Sequence, residues 1–109
     1  MSQERIDEPL IREIVRRVLD VTQPDRIIIF GSAVRGQMTD DSDIDVLILE
    51  QSPEDVWEEQ RRVSQALRGL DFPFDVIVMS SARFLETKDV IGGIAYPAHK
   101  YGQVVYEAA

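Results

Sequence analysis

Asp40, Asp41, Asp43 and Asp45 fall within six consecutive positions, and the last two flank a single isoleucine. The stretch from about Asp43 to Leu49 reads as a strand, so its alternate side chains share a face. Asp43 and Asp45 then point one way, and Ile44, Val46 and Ile48 point the other way, into the core. A third carboxylate, Asp75, sits within Phe74-Asp75-Val76-Ile77-Val78, inside a strand expected from Phe72 to Met79. A charge in such an apolar strand is costly unless it is paired or bound to a cation. If the two strands are neighbours, Asp75 lies beside the Asp43/Asp45 pair. Three carboxylates that close repel one another, so they protonate in part or hold a cation. Mg²⁺ is the apt cation, because it is hard and is usually held by a few carboxylates with phosphate oxygens and water. Two such ions can clamp the attacking and leaving oxygens of a phosphoryl displacement.

A second feature complements the first. The apolar run Ile27 to Phe30 reads as a buried strand, and Gly31-Ser32 ends it at once. Gly31 lets backbone approach a ligand closely. The Ser32 hydroxyl and the free N–H groups that follow it can hold phosphate oxygens. Arg35 is either a phosphate contact or a partner for the acidic cluster. Each piece has a plain structural reading when taken alone. Gly-Ser is a turn, Asp40 to Asp43 a solvated loop, and Asp75 a satisfied structural acid. Together they require coincidences at compatible strand positions.

These residues need a scaffold. Leu10, Ile11, Ile14, Val15, Val18 and Leu19 recur at helical spacing, with Arg12, Glu13, Arg16 and Arg17 on the opposite face. Pro24-Asp25 marks the exit of that helix. Ser52-Pro53-Glu54-Asp55 reads as a second helix start with Ser52 as its cap. That helix turns Val56, Val63, Ala66, Leu67 and Leu70 inward, and Trp57 is assigned to the core or to a helix–sheet contact. Arg83 to Lys88 is a short helix. Gly92, Gly93 and Pro97 argue against a long helix between Val90 and Tyr101, and Gln103 to Tyr106 closes as a strand. His99 is read as a surface or helix-end residue, and Tyr96, Tyr101 and Tyr106 as packing residues. The order α-β-β-α-β-α-β predicts an α/β (α+β) fold: a small mixed sheet of about four strands flanked by helices.

Composition narrows the function classes. The 109 residues suit one domain spanning 1–109, and 44% of them are apolar, as in a globular chain. The absence of cysteine excludes disulfides and thiolate metal sites. No apolar run approaches the roughly 20 residues of a membrane span, and Met1 to Glu8 has none of the character of a signal peptide. A cytoplasmic chain is expected. The net charge is −8, from 12 basic and 20 acidic residues. Such a surface repels polyanions, so no direct nucleic-acid binding is expected; a metal ion or a basic protein is a more natural companion.

Gly31-Ser32, then residues 33–42, then Asp43-Ile44-Asp45 form the pattern G-S-x10-D-x-D. This resembles the nucleotidyltransferase superfamily of the DNA polymerase β type. The wording Gly-Ser-Ala-Val-Arg-Gly and Asp-Ser-Asp-Ile-Asp-Val-Leu-Ile is similar to its minimal branch, the MNT domain, with Asp75 at the place of that family's third carboxylate. The match is close from about Arg26 to Met79, and Ala98 to Glu107 is similar to the family's usual ending. Gly92, Gly93 and Pro97 depart from the smoother helix the family leads one to expect.

The resemblance implies that Asp43 and Asp45 hold Mg²⁺ on a nucleoside triphosphate. Asp75 completes a second metal site and helps activate the acceptor hydroxyl, and Gly31 and Ser32 cradle the phosphates. The acceptor oxygen attacks the α-phosphorus and pyrophosphate leaves. Stand-alone MNT proteins are typically antitoxins that transfer AMP from ATP to a tyrosine of a HEPN-domain ribonuclease toxin. Two rival readings stay open: an antitoxin that acts by complex formation alone, and an enzyme that nucleotidylates a small molecule.

Overall fold

A computed structural model describes residues 7–31 and 43–109. Helix α1 (Glu8–Val21) begins where the Asp7 carboxylate accepts a hydrogen bond from the Leu10 N–H at 3.1 Å, and Pro9 lies in its first turn. Strand β1 (Arg26–Phe30) and strand β2 (Ile44–Glu50) are antiparallel. Helix α2 (Val56–Ala66) crosses back to β3 (Phe74–Ser80), which lies parallel to β2. Two short helices follow, α3 (Ser81–Thr87) and α4 (Ala95–Tyr101), and then β4 (Gln103–Glu107). The sheet order is β3-β2-β1-β4, with β4 antiparallel to β1, so the sheet is mixed and four-stranded as expected.

The sheet is covered on both faces. Ile27 and Ile29 of β1, Ile44, Val46 and Ile48 of β2, and Val76 and Val78 of β3 pack under Ile14 and Val18 of α1 and Val63 of α2. On the other face Ile28, Phe30, Leu47 and Leu49 pack against Phe84 of α3 and against Ala95 and Ala98 of α4. Burial on two sides explains why β1 and β2 are continuous apolar runs instead of alternating ones. Ile44, Val46 and Ile48 face a core as expected, and the face that carries Asp45 has a second core of its own.

Three expectations change. Asp55, and not Ser52, caps α2: its carboxylate accepts from the Glu58 N–H at 3.1 Å, and Glu58 and Glu59 then favour the helix N-terminus. Trp57 does not pack in the core but is 80% exposed; as the second residue of α2 it sits on the outward side of the first turn. Arg17 does not lie on a solvent face. Its guanidinium donates to the carbonyls of Ala66 (3.1 Å) and Arg68 (2.7 Å), which the end of α2 leaves without helical partners. Among the tyrosines, Tyr106 packs against the core, whereas Tyr101 is 46% exposed beside Lys100. No long helix forms between Val90 and Tyr101, and Pro97 is accommodated in the first turn of α4. His99 is exposed in the last turn of α4, its ring edge-on to Phe84.

Candidate active site

The site is built where β1 ends and β2 and β3 begin. In the antiparallel pair Phe30 faces Asp45, and in the parallel pair Asp45 faces Asp75. One row across the sheet therefore reads Phe30, Asp45, Asp75, all on the face covered further along by α3 and α4. Asp43 stands just before β2, two residues from Asp45, and near enough for its charge to act on the Asp45 carboxyl.

The two central carboxylates differ in environment. Asp75 is on an edge strand and is exposed, whereas Asp45 is half-buried on a central strand beside Phe30, which is itself 6% exposed. The cost expected for Asp75 thus falls on Asp45. Burial, then repulsion by Asp75 and Asp43, raises the Asp45 carboxyl from 3.8 to about 6. Phe30 was not among the expected site residues; its only sequence signal is its place as the last apolar residue before Gly31.

Gly31 is tied physically to this row. Its φ is +92°, a backbone conformation that L side chains rarely adopt, and a Cβ there would lie 2.1 Å from Asp45 Oδ2. A side chain at 31 would displace the carboxylate, so the glycine and the second aspartate of the motif depend on each other. Ser32 and Arg35, and with them Asp40 and Asp41, lie outside the described residues. Among the described residues no three carboxylate or imidazole side chains converge tightly enough to form a ready-made metal cage. The donor set nevertheless suits a hard cation. It is all oxygen, like-charged and partly desolvated at Asp45, and a cation relieves that repulsion.

A concavity of about 340 Å³ lies elsewhere, lined by Asp25, Arg26, Leu49, Ser81, Phe84 and Glu107 among others. Arg26 and Leu49 mark the opposite end of β1 and β2, away from Asp45 and Asp75. The carboxylate row is the better candidate because it gathers like charges that have no ion-pair partner among the described residues. The concavity pairs its charges internally, with Arg26 on Glu107 at 3.0 Å and the Ser81 hydroxyl donating to Asp25 at 2.7 Å.

Comparison with known proteins bears on this geometry. The family model of the nucleotidyltransferase domain matches residues 10–95. No curated protein matches the chain. Among solved structures, a toxin–antitoxin complex with AMP-PNP contains a chain with a TM-score of 0.64 at 20% identity, over 90% of this chain and 73% of that one. A protein of Sulfolobus solfataricus described as a nucleotidyltransferase gives 0.58 at 26% identity, over 89% and 78%. A complex of a tri-AMPylated Shewanella oneidensis HEPN toxin with its MNT antitoxin gives 0.53 at 20% identity, over 90% and 70%. The four-stranded sheet with its helices is thus a nucleotidyltransferase-like fold.

Proposed function

The chain belongs to the nucleotidyltransferase domain family, and from that premise we propose that it transfers AMP from ATP to a tyrosine of a HEPN ribonuclease toxin and so silences it. The observation that carries the reading is the alignment of Asp45 with Asp75 across β2 and β3, with Gly31 pressed against Asp45. Two of the solved neighbours support the acceptor: one is a toxin–antitoxin complex with AMP-PNP, the other contains an AMPylated HEPN toxin.

In this reading residues 1–109 act as one catalytic domain in the cytoplasm. Asp43, Asp45 and Asp75 would hold Mg²⁺, which when bound supplies charge neutralisation on the triphosphate and on the transition state. Gly31 leaves room for phosphate oxygens, and Ser32 and Arg35 bind them. Asp75 would draw a proton from the acceptor hydroxyl, a role its exposure on the edge strand supports. That oxygen forms a bond to the α-phosphorus, and the bond to pyrophosphate breaks. Catalysis is mostly positioning. The charge of −8 suits docking on a basic, RNA-cutting protein.

The test is mass spectrometry of a HEPN-domain toxin, taken from the gene neighbourhood of this chain where one is encoded there, after incubation with the purified chain, Mg²⁺ and ATP. AMP on a tyrosine, absent when Asp43→Asn replaces the wild type, is the expected result. A stable complex with no modification would overturn the transfer reading in favour of inhibition by binding alone.

A further inference from the structure

The other end of β2 holds a second group of acids that the proposed transfer does not use. Glu50, the last residue of β2, is 8% exposed. The Thr22 Oγ1, at the C-cap of α1, lies 2.5 Å from Glu50 Oε2 and 2.8 Å from Glu59 Oε2 of α2. A threonine hydroxyl carries one proton, so it can donate to only one of the two carboxylates in a linear bond. The second short oxygen–oxygen contact is satisfied when the other carboxyl carries a proton and donates it to Thr22. Two ionised carboxylates converging on one hydroxyl would repel each other in a poorly hydrated place.

We propose that Glu50 and Glu59 share a single proton around Thr22, forming a latch that ties the end of α1, the end of β2 and α2 together and loosens when that proton is lost. Burial first, and then the hydrogen bond with Glu59, raises the Glu50 carboxyl from 4.5 to about 7. The other charged groups around it are few. The Thr22 hydroxyl, as a donor to Glu50, and then Arg62 of α2 oppose that rise, and the Arg62 Nε is buried without a hydrogen-bond partner among the described residues. It is therefore the cation at hand once Glu50 ionises. Asp25 and Tyr106 line a cavity of about 570 Å³ shared with Thr22 and Glu50, and the Asp25 carboxylate is occupied by the Ser81 hydroxyl. On α1, Asp20 is engaged by Arg16 at 3.5 Å.

The sign follows from linkage. The folded chain keeps a proton that the unfolded chain releases near 4.5. The latch is therefore at full strength below that pH. Its contribution is lost as pH rises through about 7.

The experiment uses the whole chain with a chelator and without nucleotide. Carboxyl NMR is recorded on protein labelled only at glutamate, so Asp45 is silent. The expected result is a glutamate carboxyl titrating near neutral pH in the wild type, and its disappearance in Glu50→Gln, which keeps the shape and cannot ionise. All glutamates titrating below about pH 5, near their ordinary value, would overturn the latch. Melting curves give an independent reading. Between about pH 5 and 8 the wild type should lose on the order of 5 °C in Tm relative to Glu50→Gln. Parallel pH profiles of the two proteins would overturn it equally.

Discussion

Asp45 carries more of the site's electrostatic cost than either of its partners, because it alone combines partial burial with two like-charged neighbours. Its carboxyl, raised from 3.8 to about 6, makes the folded chain hold a proton that the unfolded chain gives up sooner. Apo stability should therefore fall as pH rises through that window and stay lower above it. Asp45→Asn removes the penalty. It should raise the apo Tm at pH 8 by the equivalent of about 1 kcal/mol, after allowance for solvent screening at a partly open site. The gain should vanish near pH 4, and calorimetry at the two pH values measures both. Gly31→Ala should act in the opposite sense. Positive φ and the collision with Asp45 Oδ2 together should cost about 1–3 kcal/mol in urea unfolding, and transfer should be lost with the displaced carboxylate. The pairing of Asp43 with Asp45 and the nearness of Asp75 were legible in the sequence, because a strand's period is fixed. Which aspartate bears the cost was not. It depends on sheet order, which puts β2 inside and β3 at the edge.

At the scale of elements, β1, β2, β3 and β4 all stand within a residue or two of their expected bounds. Gly31 ends β1 where expected, whereas β3 was expected from Phe72 and starts at Phe74, after Pro73, whose missing N–H cannot join the ladder. Gly102 has a steric reason: a Cβ there would lie 2.3 Å from the Ala98 carbonyl oxygen and 2.7 Å from Ile28 Cγ2, so only glycine lets α4 turn so tightly into β4. The start of α2 was harder to read, because Ser52 and Asp55 are both good caps and Pro53 favoured the earlier one. The observed cap makes a prediction: Asp55→Ala should destabilise the chain by about 1 kcal/mol in urea unfolding, whereas Ser52→Ala should change it little. The burial of Trp57 was misjudged for a related reason. Shifting the helix start moved that residue into the first turn, and hydrophobicity alone does not say which side of a turn faces the sheet. Its emission should be that of a water-exposed indole, freely quenched by neutral acrylamide, and Trp57→Ala should alter stability by less than about 0.5 kcal/mol.

Over the whole molecule, charge is distributed by task. Asp45 and Asp75 at one end of the sheet have no ion-pair partner among the described residues, while at the other end Arg26 pairs with Glu107 at 3.0 Å. A ligand that neutralises the first set should stabilise the fold by mass action. Mg²⁺ with ATP at a hundredfold excess over its dissociation constant should add about 2.7 kcal/mol, seen as a rise in Tm that Asp43→Asn abolishes. The same net charge of −8 should make association with a basic partner fast at low ionic strength and slower as salt is added, which stopped-flow mixing measures. The polarity of the surface was legible from composition alone. The identity of the acceptor was not, since in the proposed reading it belongs to another protein.

The most direct test follows the phosphate itself. Wild type, Asp43→Asn and Asp45→Asn are incubated with Mg²⁺, the partner protein and ATP labelled at either the α- or the γ-phosphate. The account predicts that only the α-label reaches the partner, and that each substitution lowers its rate by about a hundredfold or more. Transfer of the γ-label, or an α-label rate unchanged in either variant, would contradict it.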